Sequence, residues 1–249
     1  MIEIRGLAKS FKGVKVLDNL SLEVPEGKIT IVIGPSGSGK TVLLKHALGL
    51  IRPDSGQILI DGRDISSMNE AELNQTRKSF GVCFQDAALL DSMTVGENVA
   101  FPLKIHTKFT NEEIAREVQL RLKEVGLSGI EDKMPSEISG GMRKRVGIAR
   151  AMALNPKVLF FDEPTTGLDP VMSNAIKILI RETQARSQAT CLVISHDIEA
   201  ALDLADFMAM LYNGKIIFEG DTGSFKDIAD PIVKQFVQGD IEGPINPIQ

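Results

Sequence analysis

Two short stretches of this chain carry residue types that could do chemistry together. The first, GPSGSGKT at 34–41, places glycines at 34, 37 and 39 ahead of Lys40 and Thr41. Glycine lets consecutive backbone amides curl around phosphate oxygens with no Cβ in the way. Gly34, Pro35, Ser36, Gly37, Ser38 and Gly39 would form that cradle. Lys40 would reach the β- and γ-phosphates, and the Thr41 hydroxyl would ligate Mg²⁺. The pattern G-x-x-x-x-G-K-[ST] carries weight only between a buried strand and a helix. Here ITIVI (29–33) precedes it, apolar throughout, and TVLLKHALGL follows as a helix that ends near Gly49. The expected ligand is a nucleoside triphosphate. The second stretch is VLFFDEP at 158–164. A buried strand delivers Asp162 and Glu163 at its C-terminal end, where ligands of open α/β sheets bind. Asp162 suits the Mg²⁺ shell through a water, and Glu163 is placed to polarise an attacking water. Two acids after a strand also serve as a helix cap; the phosphate loop in the same chain favours the chemical reading.

A third stretch, ISGGMRKR at 138–145, resembles a second phosphate site. Serine ahead of glycines at a helix start presents free backbone amides to an anion. The basic residues that follow, Arg143, Lys144 and Arg145, read as a solvated helix face.

The elements that must position these residues follow from pattern. IEIRGL and LSLEV, separated by KG and PEG turns, read as antiparallel strands near the N-terminus, and QILIDGRDI (57–65) as a further strand and turn. Thr110 and Glu113 form a capping box. Behind them Ile114, Val118, Leu122 and Val125 mark one helical face that Gly126 stops. KVLFF (157–161) and TCLVIS (190–195) are buried-type strands flanking a helix around 171–186. Strands alternating with helices around a mostly helical middle predict a parallel-sheet core with an inserted helical subdomain. Near the C-terminus, Asp230 caps a short helix opened by Pro231, with Ile232, Val233, Phe236 and Val237 on a face that must be buried. Beyond Gly239, IEGPINPIQ has too little charge for an ordinary solvated tail; its isoleucines are expected to dock on a neighbouring subunit or an accessory protein, the alternative being a terminus that frays after Gly243.

Composition narrows the function classes. A chain of 249 residues that is 43% apolar has ample core, and its net charge of −5 shows none of the basic excess that nucleic-acid partners leave. Cys83 and Cys191 sit in apolar stretches without metal-like spacing, which reads as two buried, reduced thiols. The N-terminus has no secretory apolar region, and no apolar run approaches the ~20 residues that span a bilayer.

The order of the motifs adds a resemblance. Gln85 in VCFQD lies between the phosphate loop and the Asp-Glu strand, ISGGM shortly precedes that strand, TTGLDP (165–170) follows it, and SHD (195–197) ends the next strand. This order resembles the ATP-binding-cassette ATPases over nearly the whole chain. The resemblance implies an α/β phosphate-loop NTPase of cassette type, with a mostly parallel sheet core, an N-terminal antiparallel β-subdomain and an inserted α-helical subdomain. Residues 1–85 and 151–220 would form the nucleotide-binding core with its β-subdomain, 86–150 the helical subdomain, and 221–249 a C-terminal helix and tail. It implies ATP and Mg²⁺, with Gln85 sensing the metal and the attacking water alongside Thr41 and Asp162. Glu163 would be the base, and His196 would contact the γ-phosphate. Phe11 would stack on adenine. Ser139, Gly140, Gly141 and Met142, with Asp169 at the seam, would meet the ATP held by a second subunit in a head-to-tail dimer. The family's usual signature has glutamine where Met142 stands; the amides and Ser139 are unaffected.

Met142, together with FQDAALLDSMTVGENVAFPL (84–103), is similar to the Mla/Mce group of lipid-transport cassettes. That similarity implies an integral membrane permease, an MCE-domain lipid-binding protein and a STAS-domain accessory protein as partners. It also implies a peripheral location on the cytoplasmic side of the inner membrane and no nucleic acid. Two other readings stand beside it. The ATPase of a polar amino-acid importer would look similar. A soluble cassette protein acting on nucleic acid or ribosomes would generally carry two cassettes or a long coiled-coil insert, and no sustained heptads are present.

Overall fold

The computed structural model describes residues 1–226 and 228–245. Two compact units divide the chain: Met1–Met68 with Leu192–Gln249, and Asn69–Cys191. The first unit opens with β1 (Ile2–Phe11), β2 (Val14–Val24), β3 (Ile29–Ile33), α1 (Lys40–Ala47), β4 (Ser55–Ile60) and β5 (Arg63–Asp64). The second holds α2 (Glu70–Arg77), β6 (Phe80–Cys83), α3 (Val95–His106), α4 (Asn111–Glu124), α5 (Gly140–Met152), β7 (Val158–Asp162) and α6 (Pro170–Ser187). The boundary falls within β8 (Thr190–Ile194). The first unit then resumes with α7 (Ile198–Leu204), β9 (Phe207–Tyr212), β10 (Lys215–Asp221), α8 (Thr222–Lys226) and α9 (Pro231–Gln238).

In the first unit, β1 and β2 are joined by Lys12 and Gly13 at φ 49° and 82°, the paired positive values of a tight hairpin turn. Ile2 faces Val24 and Ile4 faces Leu22 across this pair, and all four are buried. Strands β4 and β5 extend it into an antiparallel sheet of order β2-β1-β4-β5. Alternation is legible here because one face is wet. It vanishes in β3, where every residue is buried and β9 pairs in parallel. The strand order in this unit is β10-β9-β3-β8, with β10 antiparallel to β9. The predicted C-terminal helix forms as α9, capped by Asp230, whose carboxylate accepts from Ile232 N and Val233 N. Its predicted buried face is only partly buried. Val233 is fully covered, Ile232 and Phe236 are half-buried, and Val237 is exposed. The polar Gln235 is buried instead, because its side-chain amide clasps the returning backbone at Ile245, accepting from N at 2.6 Å and donating to O at 3.0 Å. Pro247 and Ile248 of the predicted docking tail lie outside the described residues.

In the second unit the strand order is β8-β7-β6, with β6 and β7 parallel from Phe80–Val158 to Cys83–Phe161. The capping box of α4 forms as predicted, with Thr110 Oγ1 accepting from Glu113 N and Glu113 accepting from Thr110 N. Ile114, Val118 and Leu122 are its buried face, and Gly126 follows at φ 71°. Thr94 and Glu97 start α3 in the same way. Among the described residues no helix is long and apolar enough to cross a membrane.

Candidate functional site

In the first unit, the loop between β3 and α1 has the backbone the glycines predict. Gly34 sits at φ 151°, and a Cβ there would fall 2.1 Å from the Leu211 carbonyl oxygen. Gly37 and Gly39 lie at φ 78° and 109°, and Gly39 is the N-cap of α1, so no side chain caps that helix start. The first turn of α1 carries no acidic residue, which leaves the positive end of the helix dipole uncompensated by side chains. The ammonium of Lys40, a residue buried to 7% exposure, donates to Gly34 O at 2.8 Å and Pro35 O at 2.9 Å. Ser38 Oγ is buried and, among the described residues, has no hydrogen-bond partner. A loop of forced positive-φ glycines, an orphaned buried hydroxyl, a lysine and an uncapped helix start fit a phosphate chain. Pro35 is half-buried, Ser36 exposed, and Thr41 exposed on the first turn of α1. Phe11 ends β1 at 43% exposure with Lys9 Nζ 5.6 Å from its ring centroid, so a flat apolar surface is presented at that edge. His196 is exposed after β8. The task of starting α7 falls to Asp197, whose carboxylate accepts from Ala200 N, and Asp197 N in turn donates to Ser195 Oγ.

In the second unit, Gln85 is exposed two residues past the end of β6, and Asp162 is the half-buried last residue of β7. Glu163 follows at φ 49°, a left-handed conformation that an L-residue with a long side chain adopts at a cost of about 1–3 kcal/mol. Thr166 Oγ1 donates to Glu163 Oε2 at 2.6 Å. Gln85 and Asp162 in this unit carry oxygen donors of the kind Mg²⁺ takes, as Thr41 does in the first unit. Ser139 caps α5 in extended conformation, accepting from Met142 N at 3.3 Å. Gly141 is buried against Met172, whose Cε would lie 2.4 Å from an added Cβ; beside Gly140 the nearest atom is Arg143 Nη2 at 3.8 Å. Met142 is half-buried. Asp169 is exposed and caps α6 by accepting from Val171 N and Met172 N at 3.0 Å each.

The basic run does not form a solvated face. Arg143 alone is exposed, and each of the three donates to a backbone carbonyl: Arg143 to Ile138, Arg145 to Val125, Lys144 to Thr166. Lys144 is buried, and burial pushes its ammonium below the usual lysine range against the pull of Cys83, Asp86 and Glu163. A one-in-three solvated pattern and a buried clamp are spelled with the same letters, so charge run alone could not separate them. Lys144, Thr166 and Met172 are site-lining residues that motif reading missed. Only the i+3 spacing of a hydroxyl after Glu163 hinted at one of them. Gln85, Asp86, Gly140, Lys144, Thr166 and Leu168 line a cavity of about 290 Å³ beside the start of α5.

A second cavity in the same unit, about 360 Å³, is an apolar groove lined by Phe84, Leu90, Phe101, Pro102 and Leu154. Phe84, Leu90 and Phe101 remain 38–39% exposed. Arg150 reaches into its wall and donates to Ala87 O and Ala88 O, fixing those two residues in left-handed conformation at φ 60° and 47°. Cys83 and Cys191 are both buried thiols outside any disulfide, as predicted, and burial pushes the Cys83 thiol up to about 11.

Phosphate loop, acid-tipped strand and serine-capped glycine helix define a class, and the comparison bears it out: residues 17–166 match the ABC transporter family, to which this chain belongs. Over 244 residues it is 44% identical to the "Probable ribonucleotide transport ATP-binding protein mkl" of Mycobacterium leprae, covering 98% of this chain and 70% of that one. It is 41% identical over 245 residues to the intermembrane phospholipid transport system ATP-binding protein MlaF of Haemophilus influenzae, covering 98% of this chain and 93% of that one. Among solved structures, the dimeric post-hydrolysis state of the ATP-binding cassette MJ0796 with ADP and Pi superposes at TM-score 0.81 and 29% identity, covering 89% of this chain and 99% of that chain. The fold expected from the motif order is the fold observed.

Proposed function

We propose that this chain hydrolyses ATP as the nucleotide-binding subunit of a phospholipid transporter. The observation that carries the reading is the end-to-end match to MlaF, 98% of this chain against 93% of that protein, with Lys40, Thr41, Asp162, Glu163 and His196 all in place. The Mycobacterium leprae relative is slightly more identical, but about a third of its length lies outside the match. Its name, a probable ribonucleotide transport protein, supports a second reading, ribonucleotide transport.

In this reading the cradle from Gly34 to Gly39, with Lys40, holds the phosphate chain by backbone amides and one charge, and Phe11 stacks on adenine. Thr41, Gln85 and Asp162 would hold Mg²⁺, which supplies charge neutralisation on the β- and γ-oxygens when bound. Glu163 takes the proton of the attacking water, and His196 contacts the γ-phosphate. Ser139, Gly140 and Gly141, with Met142 and Asp169, meet the nucleotide of a second copy in a head-to-tail dimer. The dimeric state of the MJ0796 cassette supports this arrangement. An integral membrane permease inserts a helix into the groove of Phe84, Leu90 and Phe101. An MCE-domain protein and a STAS-domain protein complete the assembly, at the cytoplasmic face of the inner membrane.

Purification of the tagged protein with its membrane partners, followed by ATPase assays, separates the two transport readings. Phospholipid co-purifying with a permease, and turnover responding to lipid, is the expected result. Turnover responding to ribonucleosides or ribonucleotides, with no bound lipid, would favour the second reading.

A further inference from the structure

Thr166 binds the side chain of Glu163, and Lys144 in turn binds the Thr166 backbone. Thr166 Oγ1 donates to Glu163 Oε2 at 2.6 Å, and the Thr166 carbonyl accepts from Lys144 Nζ at 2.7 Å. The same ammonium approaches the Glu163 carbonyl at 3.5 Å. Lys144 lies on α5, five residues after the Ser139 cap, and is buried at 7% exposure. A buried lysine is rare unless its charge is engaged, because desolvation penalises it heavily. Here the engaged groups are backbone carbonyls of the loop that carries the acid, with Asp86 adding an attractive charge nearby. An apolar residue would cover the same surface without that cost, so packing alone does not explain a cation here. Glu163 also sits at φ 49°, a conformation that persists only when its surroundings over-determine it.

We propose that Lys144 and Thr166 are positioning residues forming a relay from the serine-capped helix to the base: Lys144 fixes the Thr166 backbone, and the Thr166 hydroxyl fixes the Glu163 carboxylate. The inference rests on the reading of Glu163 as the base. Its consequence is that a shift of α5, the helix whose start meets the second subunit's nucleotide in that reading, moves the base of its own subunit. The Thr166 hydroxyl bonds the base itself, whose loss spares ATP binding in that reading, so removing it should change the rate and not the affinity.

The test is steady-state ATP turnover, with kcat and KM separated, on five relay variants and one reference. Thr166→Val keeps the shape and removes the hydroxyl; kcat should fall by about tenfold or more, the usual effect of losing a hydrogen bond to a charged group, at unchanged KM. Thr166→Ser restores the donor and should restore kcat. Lys144→Met should lower kcat to a similar extent, and Lys144→Gln, which keeps a donor, should recover part of it. Combining Thr166→Val with Lys144→Met should cost no more than the worse single change, as for residues acting in one chain. Thermal melts of all variants report folding; Lys144→Met is the one most at risk, and the Thr166 pair decides the matter without it. Wild-type kcat in Thr166→Val, equal impairment of Thr166→Val and Thr166→Ser, or fully additive losses would each overturn the relay while an inactive Glu163→Gln reference left the base in place. An active Glu163→Gln would overturn the base assignment, and the relay with it.

Discussion

Two helices in this molecule begin next to glycines, and they begin differently. Helix α1 starts at Gly39, at φ 109°, with no side-chain cap, no acid in its first turn and a loop that only glycine can trace before it. Helix α5 starts at Ser139 in ordinary extended conformation, with the serine hydroxyl already accepting from Met142 N. Its glycines have no positive φ, and Gly140 has only Arg143 Nη2, 3.8 Å from an added Cβ, beside it. The first start is shaped from within, by backbone that must curl around a ligand. The second is an ordinary capped helix, in which Gly141 makes room for Met172 and the bare Gly140 leaves the helix start open to an approach from outside. One composition, glycine before a helix, therefore serves two physical ends, and the neighbouring backbone tells which.

The largest expected effect leaves both helix starts intact. Glu163→Gln should lower turnover by about 10²- to 10⁴-fold while ATP still binds, the usual scale for removing a general base. Equilibrium binding of a fluorescent ATP analogue beside a phosphate-release assay checks it; turnover at the wild-type rate would remove Glu163 from that role. Lys40→Ala attacks the first start. It deletes a charge-assisted contact to phosphate, so ATP affinity itself should drop by roughly 10- to 150-fold, measurable by titration calorimetry. Unchanged affinity would mean that the loop is only a turn.

Smaller effects separate the two kinds of glycine. Gly34→Ala places a methyl 2.1 Å from the Leu211 carbonyl oxygen at a positive φ. Stability should fall by about 2 kcal/mol or more, read as a lower midpoint in urea unfolding. Gly140→Ala meets nothing nearer than 3.8 Å and lies in helical backbone. Stability there should be unchanged or higher by up to about 1 kcal/mol, since alanine is the better helix former. Turnover should nonetheless decline, because the methyl stands where the incoming phosphate must approach. A Gly140→Ala protein both stable and fully active would erase the distinction between the two helix starts.

Much of this was legible in the sequence. The antiparallel hairpin of β1 and β2, the fully buried β3, the Thr110–Glu113 capping box and the Asp230 cap all follow from local pattern, because each is decided within a few residues. The loop at 34–41 was legible for the same reason: glycine spacing and strain belong to one segment. The signature at 139–142 was legible only by resemblance, since in the proposed dimer its chemistry lies with another molecule. The relay was not legible at all. Lys144 and Thr166 are 22 residues apart, and their bond depends on how α5 packs against the loop after β7, which no single window of sequence contains. The burial of Gln235 was illegible for a related reason: its polar side chain clasps backbone that returns from ten residues further on.

The central claim is that the second helix start serves a nucleotide held by another copy of this chain. Mixing two defective subunits tests it most directly. Ser139→Arg should abolish turnover by filling the approach to the helix start while sparing ATP binding at its own loop, and Lys40→Ala should be inactive through the loop. A head-to-tail pair of one of each contains one composite site with both elements intact and one with both broken. ATP turnover of the mixture should therefore rise clearly above that of either variant alone. A mixture no more active than the better of its two parents would contradict the account.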